Sequence, residues 1–144
     1  MKILFDTSVL VAAIVESHPF HVRAFPWLKR AKLQEFNMLI ASHAVAELYA
    51  VLTTLPVTPK IMPGVASHLI SNNIQSIADV ISLSSSDYFS IIRRISDLGL
   101  SGGIIYDALI VKAAQKSGVD RILTFNAYDF KRILPEGIPQ ITIP

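Results

Sequence analysis

Cysteine is absent from the 144 residues, which excludes disulfides and thiolate-bound metals and agrees with a reducing compartment. No apolar run approaches the roughly 20 residues that a bilayer-spanning helix needs. Asp6 interrupts the first apolar run too early for a signal peptide. Neither sign of charge dominates: 13 Lys and Arg stand against 11 Asp and Glu, a formal net of +2, which permits a nucleic-acid partner without demanding one. Repeats, low-complexity tracts and linker-like stretches are missing too, so residues 1–144 read as a single domain, long enough to bury a core without staples. Together these absences predict a soluble cytoplasmic protein with no membrane association.

Apolar residues, by contrast, are abundant. They make up 51% of the chain and bring its mean hydropathy to +0.48, high for a small domain whose surface must stay largely polar. That excess predicts apolar surface covered by a partner.

The pattern begins with Ile3, Leu4 and Phe5, a short continuous apolar run that stops at Asp6. Such a run suits a parallel strand covered on both faces, and its terminal carboxylate then lies at the carboxyl edge of the sheet, where open α/β folds place their chemistry. A helix is predicted over 9–15, with the Thr7 and Ser8 hydroxyls beside Asp6. A second helix over 18–32 carries Phe20, Ala24, Trp27 and Ala31 on one face and Arg23, Lys29, Arg30 and Lys32 on the other. The basic face reads as solvated surface or as a phosphate-contacting patch. His18 and His21 have no acidic or histidine neighbour in sequence and read as surface residues, not metal ligands.

A second strand is predicted over 38–41, with Ser42 as N-cap of a helix that turns Ala44, Val45, Leu48, Val51, Leu52 and Leu55 inward. Glu47 lies at the margin of that stripe, with Ala44, Ala50 and Val51 among its neighbours three and four residues away, and so looks into the fold. Pro56, Pro59 and Pro63 mark a connection, Pro63 opening a helix that ends near Asn72 and Asn73. A third strand over 80–83 leads to a helix capped by Ser85 or Ser86, with Tyr88, Ile91, Ile92 and Ile95 inward, Arg93 and Arg94 outward, and Gly99 as its stop.

The next helix is predicted to start from Ser101, with Gly102 and Gly103 permitting close backbone approach, and to end at Gly118. Asp107 falls in its second turn. Its neighbours at three and four residues are Gly103, Ile104, Ile110 and Val111, so the carboxylate shares a face with apolar side chains. Burying an unpaired carboxylate is costly, which demands a cation, a strong donor or a raised pKa. A fourth strand over 121–124 runs into Asn126 and Asp129, and a last strand over 140–143 is framed by Pro135, Pro139 and Pro144. The alternation of strands and helices predicts an α/β fold, a three-layer α/β/α sandwich around a mostly parallel sheet.

If the strands are parallel, the ends carrying Asp6 and Asn126 share one edge, and right-handed crossovers bring the helices bearing Glu47 and Asp107 alongside. Each residue has a plain structural alternative. Asp6 can cap the first helix, Glu47 can pair with a remote lysine, and Asp107 can accept from backbone amides. Asn126 can cap a last helix whose amino-terminal dipole favours Asp129. As a set they instead suggest repelling carboxylates relieved by a hard divalent cation, and oxygen-only donors point to Mg²⁺ or Mn²⁺. Such a centre can hydrolyse phosphodiesters by activating water and neutralising charge on the transferring phosphoryl group.

In their order along the chain, Phe-Asp-Thr-Ser at 5–8, Ala-Val-Ala-Glu-Leu at 44–48, Tyr-Asp-Ala-Leu-Ile at 106–110 and Leu-Thr-Phe-Asn at 123–126 resemble the PIN-domain ribonucleases, in particular the VapC-like toxins of toxin–antitoxin pairs. The resemblance spans essentially the whole chain. It implies an endoribonuclease in which Asp6, Glu47 and Asp107 hold Mg²⁺ or Mn²⁺, leaving 5′-phosphate and 3′-hydroxyl ends. It also implies an RNA substrate, a homodimer and an antitoxin peptide lying in an apolar groove. The fourth family position, commonly Asp, falls on Asn126, which can ligate through its carbonyl oxygen but adds no charge. The number of metals, one or two, is left open, with Asp129 one turn later placed to make up the charge. Thr124 is a candidate donor behind the ligands, and Arg23, Arg30, Arg93, Arg94, Lys112 and Lys116 are candidate RNA contacts.

Two rival readings accompany this one. Asn126 favours a degenerate PIN-like module that binds RNA or protein without cleaving. A phosphorylated Asp6 is disfavoured, because Ser8 stands where a phosphatase of this kind has a second Asp and no acidic pair precedes the strand end as in receivers.

Overall fold

The computed structural model describes residues 1–134 and 139–144. The expected position of Pro135 therefore lies outside the described residues. Five strands form one all-parallel sheet in the order β3-β2-β1-β4-β5, comprising β1 (Lys2–Phe5), β2 (Asn37–Ala41), β3 (Asp79–Ile81), β4 (Arg121–Leu123) and β5 (Gln140–Thr142). Between β1 and β2 run α1 (Thr7–Ile14) and α2 (His21–Lys32), and between β2 and β3 run α3 (Ser42–Thr54) and α4 (Pro63–Ile70). A single π turn, Ser71–Gln75, extends α4. The remaining helices are α5 (Ser85–Asp97) and α6 (Ile104–Ser117) before β4, and α7 (Ala127–Ile133) after it.

Strand order explains the layers. The chain steps from β1 to β2 to β3 in one direction, then returns past β1 to β4 and continues to β5. Right-handed crossovers in opposite directions put their helices on opposite faces. Accordingly α1 packs on α2 and α3, and α3 on α4, while α6 packs on α5 and α7. The reversal leaves a crevice where β1 and β4 lie side by side, and the carboxyl ends of these strands open into it. Phe5 pairs in register with Leu123, and the Asp6 amide donates to the Leu123 carbonyl at 3.0 Å, so the residues after both strands emerge together. Ile3, Leu4 and Phe5 have no exposed surface, as a strand covered on both faces requires.

Several helix starts differ from expectation. Ser84, not Ser85 or Ser86, caps α5: its hydroxyl accepts from the Asp87 amide at 3.1 Å while the Asp87 carboxylate accepts from the Ser84 amide at 2.8 Å, a reciprocal capping box that needs the acid three residues on. Ser42 is the first residue of α3, after Ala41. Gly103, not Ser101, precedes α6, which moves Asp107 into the first turn. Helix α2 begins at His21, so Phe20 sits at its cap. Pro63 opens α4 and Gly118 ends α6 at φ +60°, as read from the sequence. On α5 only Ile91 and Ile95 are buried; Tyr88 and Ile92 join Phe89 in solvent, because α5 rests mainly on α6 and one main partner covers only a narrow stripe. No helix among the described residues is long and apolar enough to cross a membrane.

Candidate acidic active site

At the switch point a cleft of about 430 Å³ is lined by Asp6, Glu47, Asp107 and Asn126, together with Thr7, Ser8, His18, Phe20 and Phe125 and the aliphatic Val11, Val51 and Leu55. Three carboxylates face it, and no Lys or Arg lines it.

Asp6 directly follows β1 and is buried. Its side chain does not cap α1; Oδ2 instead accepts from the Ser8 hydroxyl and the Thr124 hydroxyl, each at 2.7 Å. Burial raises the Asp6 pKa, and these two hydroxyls together with the Thr7 and Ser8 backbone amides only partly offset it. Thr124 is itself fully buried after β4 and accepts from the Asn126 amide at 2.9 Å. One hydroxyl thus links the ends of the two switch-point strands. Thr124→Val, which preserves shape and removes that donor, is expected to lower divalent-cation affinity by about 10- to 100-fold, the usual cost of losing a group that orients a ligand. Isothermal calorimetry with Mn²⁺ checks this, and unchanged affinity refutes it.

Glu47 is half-buried on α3, and burial followed by the Asp6 charge raises its pKa. No salt bridge among the described residues involves it, so the remote-lysine alternative fails. Asp107 is pushed up to about 7, first by burial, then by the charges of Asp6, Asp129 and Glu47, with the Asn126 hydrogen bond acting the other way. Its donor is a side chain, not a backbone amide. The Asn126 amide nitrogen donates to Asp107 Oδ2 at 3.1 Å and to Asp129 Oδ2 at 2.9 Å. Asn126 precedes α7 without a side-chain cap bond. As oriented it is a double donor, and ligation through its oxygen requires the amide to turn over. Asp129 also meets Arg132 at 3.2 Å, which neutralises part of the fourth carboxylate.

The carboxylates therefore feel one another electrostatically, yet no three His, Cys, Asp or Glu side chains among the described residues are drawn together closely enough to hold a metal ion as they stand. Asp6 is turned toward two hydroxyls and Asp107 toward Asn126, while Glu47 meets no donor among the described residues. The donor set still fits a hard cation: oxygen atoms only, surplus negative charge, and no basic side chain in the lining.

The basic candidates are dispersed. Arg23 stands at the cleft rim, its guanidinium 5.2 Å from both the Phe20 and Phe125 ring centroids and its Nε donating to the Pro144 carbonyl. Arg30 is held at the opposite edge of the sheet by Glu35 at 2.6 Å and by the Trp27 and Phe36 rings. Arg94 donates to the Ile133 carbonyl, and Lys116 pairs with Asp87 at 3.0 Å. Arg93 is exposed on α5 and Lys112 half-buried on α6. Of the six, Arg23 alone has contacts that place it beside the cleft.

Sequence reading missed His43 and Tyr106 and took the half-buried His18 and His21 for surface residues. His18 is half-buried and lines the cleft, its Nδ1 accepting from the Phe20 amide at 3.0 Å; His21, also half-buried, lies 2.8 Å from the Ala12 carbonyl. His43 precedes Glu47 by one helical turn, a spacing legible in the sequence. Tyr106, adjacent to Asp107, stacks on it with ring centroids 6.4 Å apart; no periodicity flags an exposed tyrosine.

The PIN domain family matches residues 3–133. Ribonuclease VapC40 of Mycobacterium tuberculosis is 34% identical over 119 residues, 83% of this chain and 82% of that protein. Among solved structures, Mycobacterium tuberculosis VapC20, a sarcin-ricin loop cleaving toxin, superposes with a TM-score of 0.71 at 14% identity, covering 94% of this chain and 98% of its own. VapBC2 from Rickettsia felis, bound to a DNA fragment from its promoter, does so with a TM-score of 0.66 at 20% identity, covering 99% and 98%. Those two likenesses speak for the fold, and the family match and the VapC40 identity carry the assignment: the chain belongs to the PIN-domain family.

Proposed function

We propose that this chain is a divalent-metal-dependent endoribonuclease, the cytoplasmic toxin of a toxin–antitoxin pair. The carrying observation is Asp107, pushed up to about 7 by burial and by three neighbouring carboxylates in a cleft that no Lys or Arg lines. Such a site is incomplete without a cation. The names of its relatives, ribonuclease VapC40 among them, support RNA as substrate.

In this reading Asp6 and Asp107 are the primary ligands of Mg²⁺ or Mn²⁺, and Glu47 ligates directly or orients the attacking water. When bound, the cation supplies charge neutralisation at the phosphoryl group and a more acidic water. Ser8 and Thr124 hold the Asp6 carboxylate in place. Asn126 and Asp129 complete the cluster, Asn126 steering Asp107. Asp6 and Asp107, now bonded to the Ser8, Thr124 and Asn126 side chains, would hold the cation together with Glu47. Arg23 contacts the RNA backbone at the rim. An antitoxin partner is supported by the likeness to VapBC2, and the exposed Tyr88, Phe89 and Ile92 on α5 offer apolar surface for that partner or for a homodimer.

Calorimetric titration with Mn²⁺ and Mg²⁺ on the wild type, Asp6→Ala and Asp107→Asn tests the centre without knowledge of the RNA. Binding in the wild type that is lost in both variants is expected. Absence of binding in the wild type would select a second reading, a non-cleaving RNA- or protein-binding module, which the Asn126 amide already bridging two carboxylates favours.

A further inference from the structure

Beside the acidic cleft lies a second, more apolar pocket of about 550 Å³, lined by His43, Ala46, Glu47, Ala50 and Tyr106. Glu47 lines both cavities, so the two adjoin at one side chain. Tyr106 is 55% exposed and carried on the residue before Asp107. Its ring lies nearly parallel to His43, at an interplanar angle of 26°. Both His43 ring nitrogens are closed off from water and meet no hydrogen-bond partner. Burial lowers the His43 pKa, and the nearby Tyr106 main chain and Asp6 charge oppose this only in part.

We propose that the His43–Tyr106 pocket receives a nucleobase of the RNA strand, stacked on Tyr106, next to the phosphate held at Asp6, Glu47 and Asp107. A flat ring matches a pocket walled by an exposed aromatic face. Its face finds the exposed tyrosine, as single-stranded nucleic acids find aromatic platforms, and the apolar Ala46 and Ala50 beside it offer no competing polar group. The small side chains of Ala46 and Ala50, one turn apart on α3, leave the opening clear. The consequence is a preference at one nucleotide position, set outside the metal ligands.

The inference rests on the RNA reading of the cleft, and its test separates the two. Binding of fluorescein-labelled ten-nucleotide oligoadenylate and oligouridylate is compared with that of an abasic ten-mer of equal charge, by anisotropy in Ca²⁺, for wild type, Tyr106→Phe and Tyr106→Ala. A stacked base is worth about 1–3 kcal/mol, so the wild type should prefer a base-bearing strand by about 5- to 150-fold. Tyr106→Phe should keep that preference and Tyr106→Ala should lose it. Equal affinity of the wild type for all three strands overturns the proposal and hands the pocket to a partner's peptide; retention of the preference by Tyr106→Ala overturns it as well. Base preference without Mn²⁺ binding would uphold the pocket and refute the metal centre. Mn²⁺ binding without base preference would do the reverse.

Discussion

Asp107→Asn is expected to melt at a higher temperature than wild type in EDTA at pH 8, and at a lower one in saturating Mn²⁺. In the folded chain Asp107 rises from the usual 3.8 to about 7, through burial first and then the charges of Asp6, Asp129 and Glu47. The native state therefore holds this proton more tightly than the unfolded state does. Its stabilising effect is fully present below about pH 4 and is lost as pH rises through 7. Above that the native protein carries a repelled, half-buried charge, which asparagine removes. Asp107 retains solvent contact, so screening reduces the gain. The expected rise is a few degrees, at about 2–8 °C per kcal/mol for a chain of this size, and it should vanish at pH 4.

On the proposed metal-centre reading Mn²⁺ should reverse the order, because a ligand at 100 times its dissociation constant stabilises by about 2.7 kcal/mol and only the wild type is expected to bind it. RNA cleavage by the variant should fall roughly 10²- to 10³-fold, the rate equivalent of losing a few kcal/mol of charge stabilisation. Differential scanning calorimetry at pH 4 and pH 8, with and without Mn²⁺, reads all four stabilities. An unchanged order of melting would refute the acidic-centre account.

The second large effect is on stability alone. Phe5→Ala should destabilise by about 3–5 kcal/mol, the range for emptying a fully buried aromatic site, against a total of roughly 5–15 kcal/mol for a domain. Phe5 has no exposed surface, ends the central strand β1 and packs its ring on Phe36 at 6.2 Å, with sheet neighbours on both sides. The surroundings cannot collapse into the void without moving the strand that positions Asp6. Urea unfolding followed by the single tryptophan, Trp27, which lies against Phe36, measures the loss. Phe89→Ala, at a ring 63% exposed on α5, serves as control and should stay within about 0.5 kcal/mol. Equal effects at the two positions would refute the burial argument.

Local chemistry made much of this molecule legible in its sequence. The apolar run of β1 ending at Asp6, the stripe on α3 and the glycine stop of α6 follow from nearest-neighbour and helical-turn relations, which lie within a few residues. Asp107 was detectable for the same reason: a carboxylate among glycine and apolar neighbours contradicts its own helix face. Capping was read less well, since Ser84 outcompetes Ser85 and Ser86 only because Asp87 stands three residues after it and closes the reciprocal bonds.

What tertiary structure alone decided is which side chains face which. Strand order created the switch point that joins Thr124 to Asp6 across 118 residues. The fold tied Arg30, Arg94 and Lys116 to local partners and left Arg23 at the cleft. It turned the Asn126 amide between two carboxylates and set Tyr106 over His43. Sequence periodicity determines which face of an element is apolar, but the partner that covers that face is chosen by packing between elements distant in the chain. For this protein, the sequence alone determined the elements and the identity of the acidic residues, and the tertiary structure decided their mutual geometry and the pocket beside them.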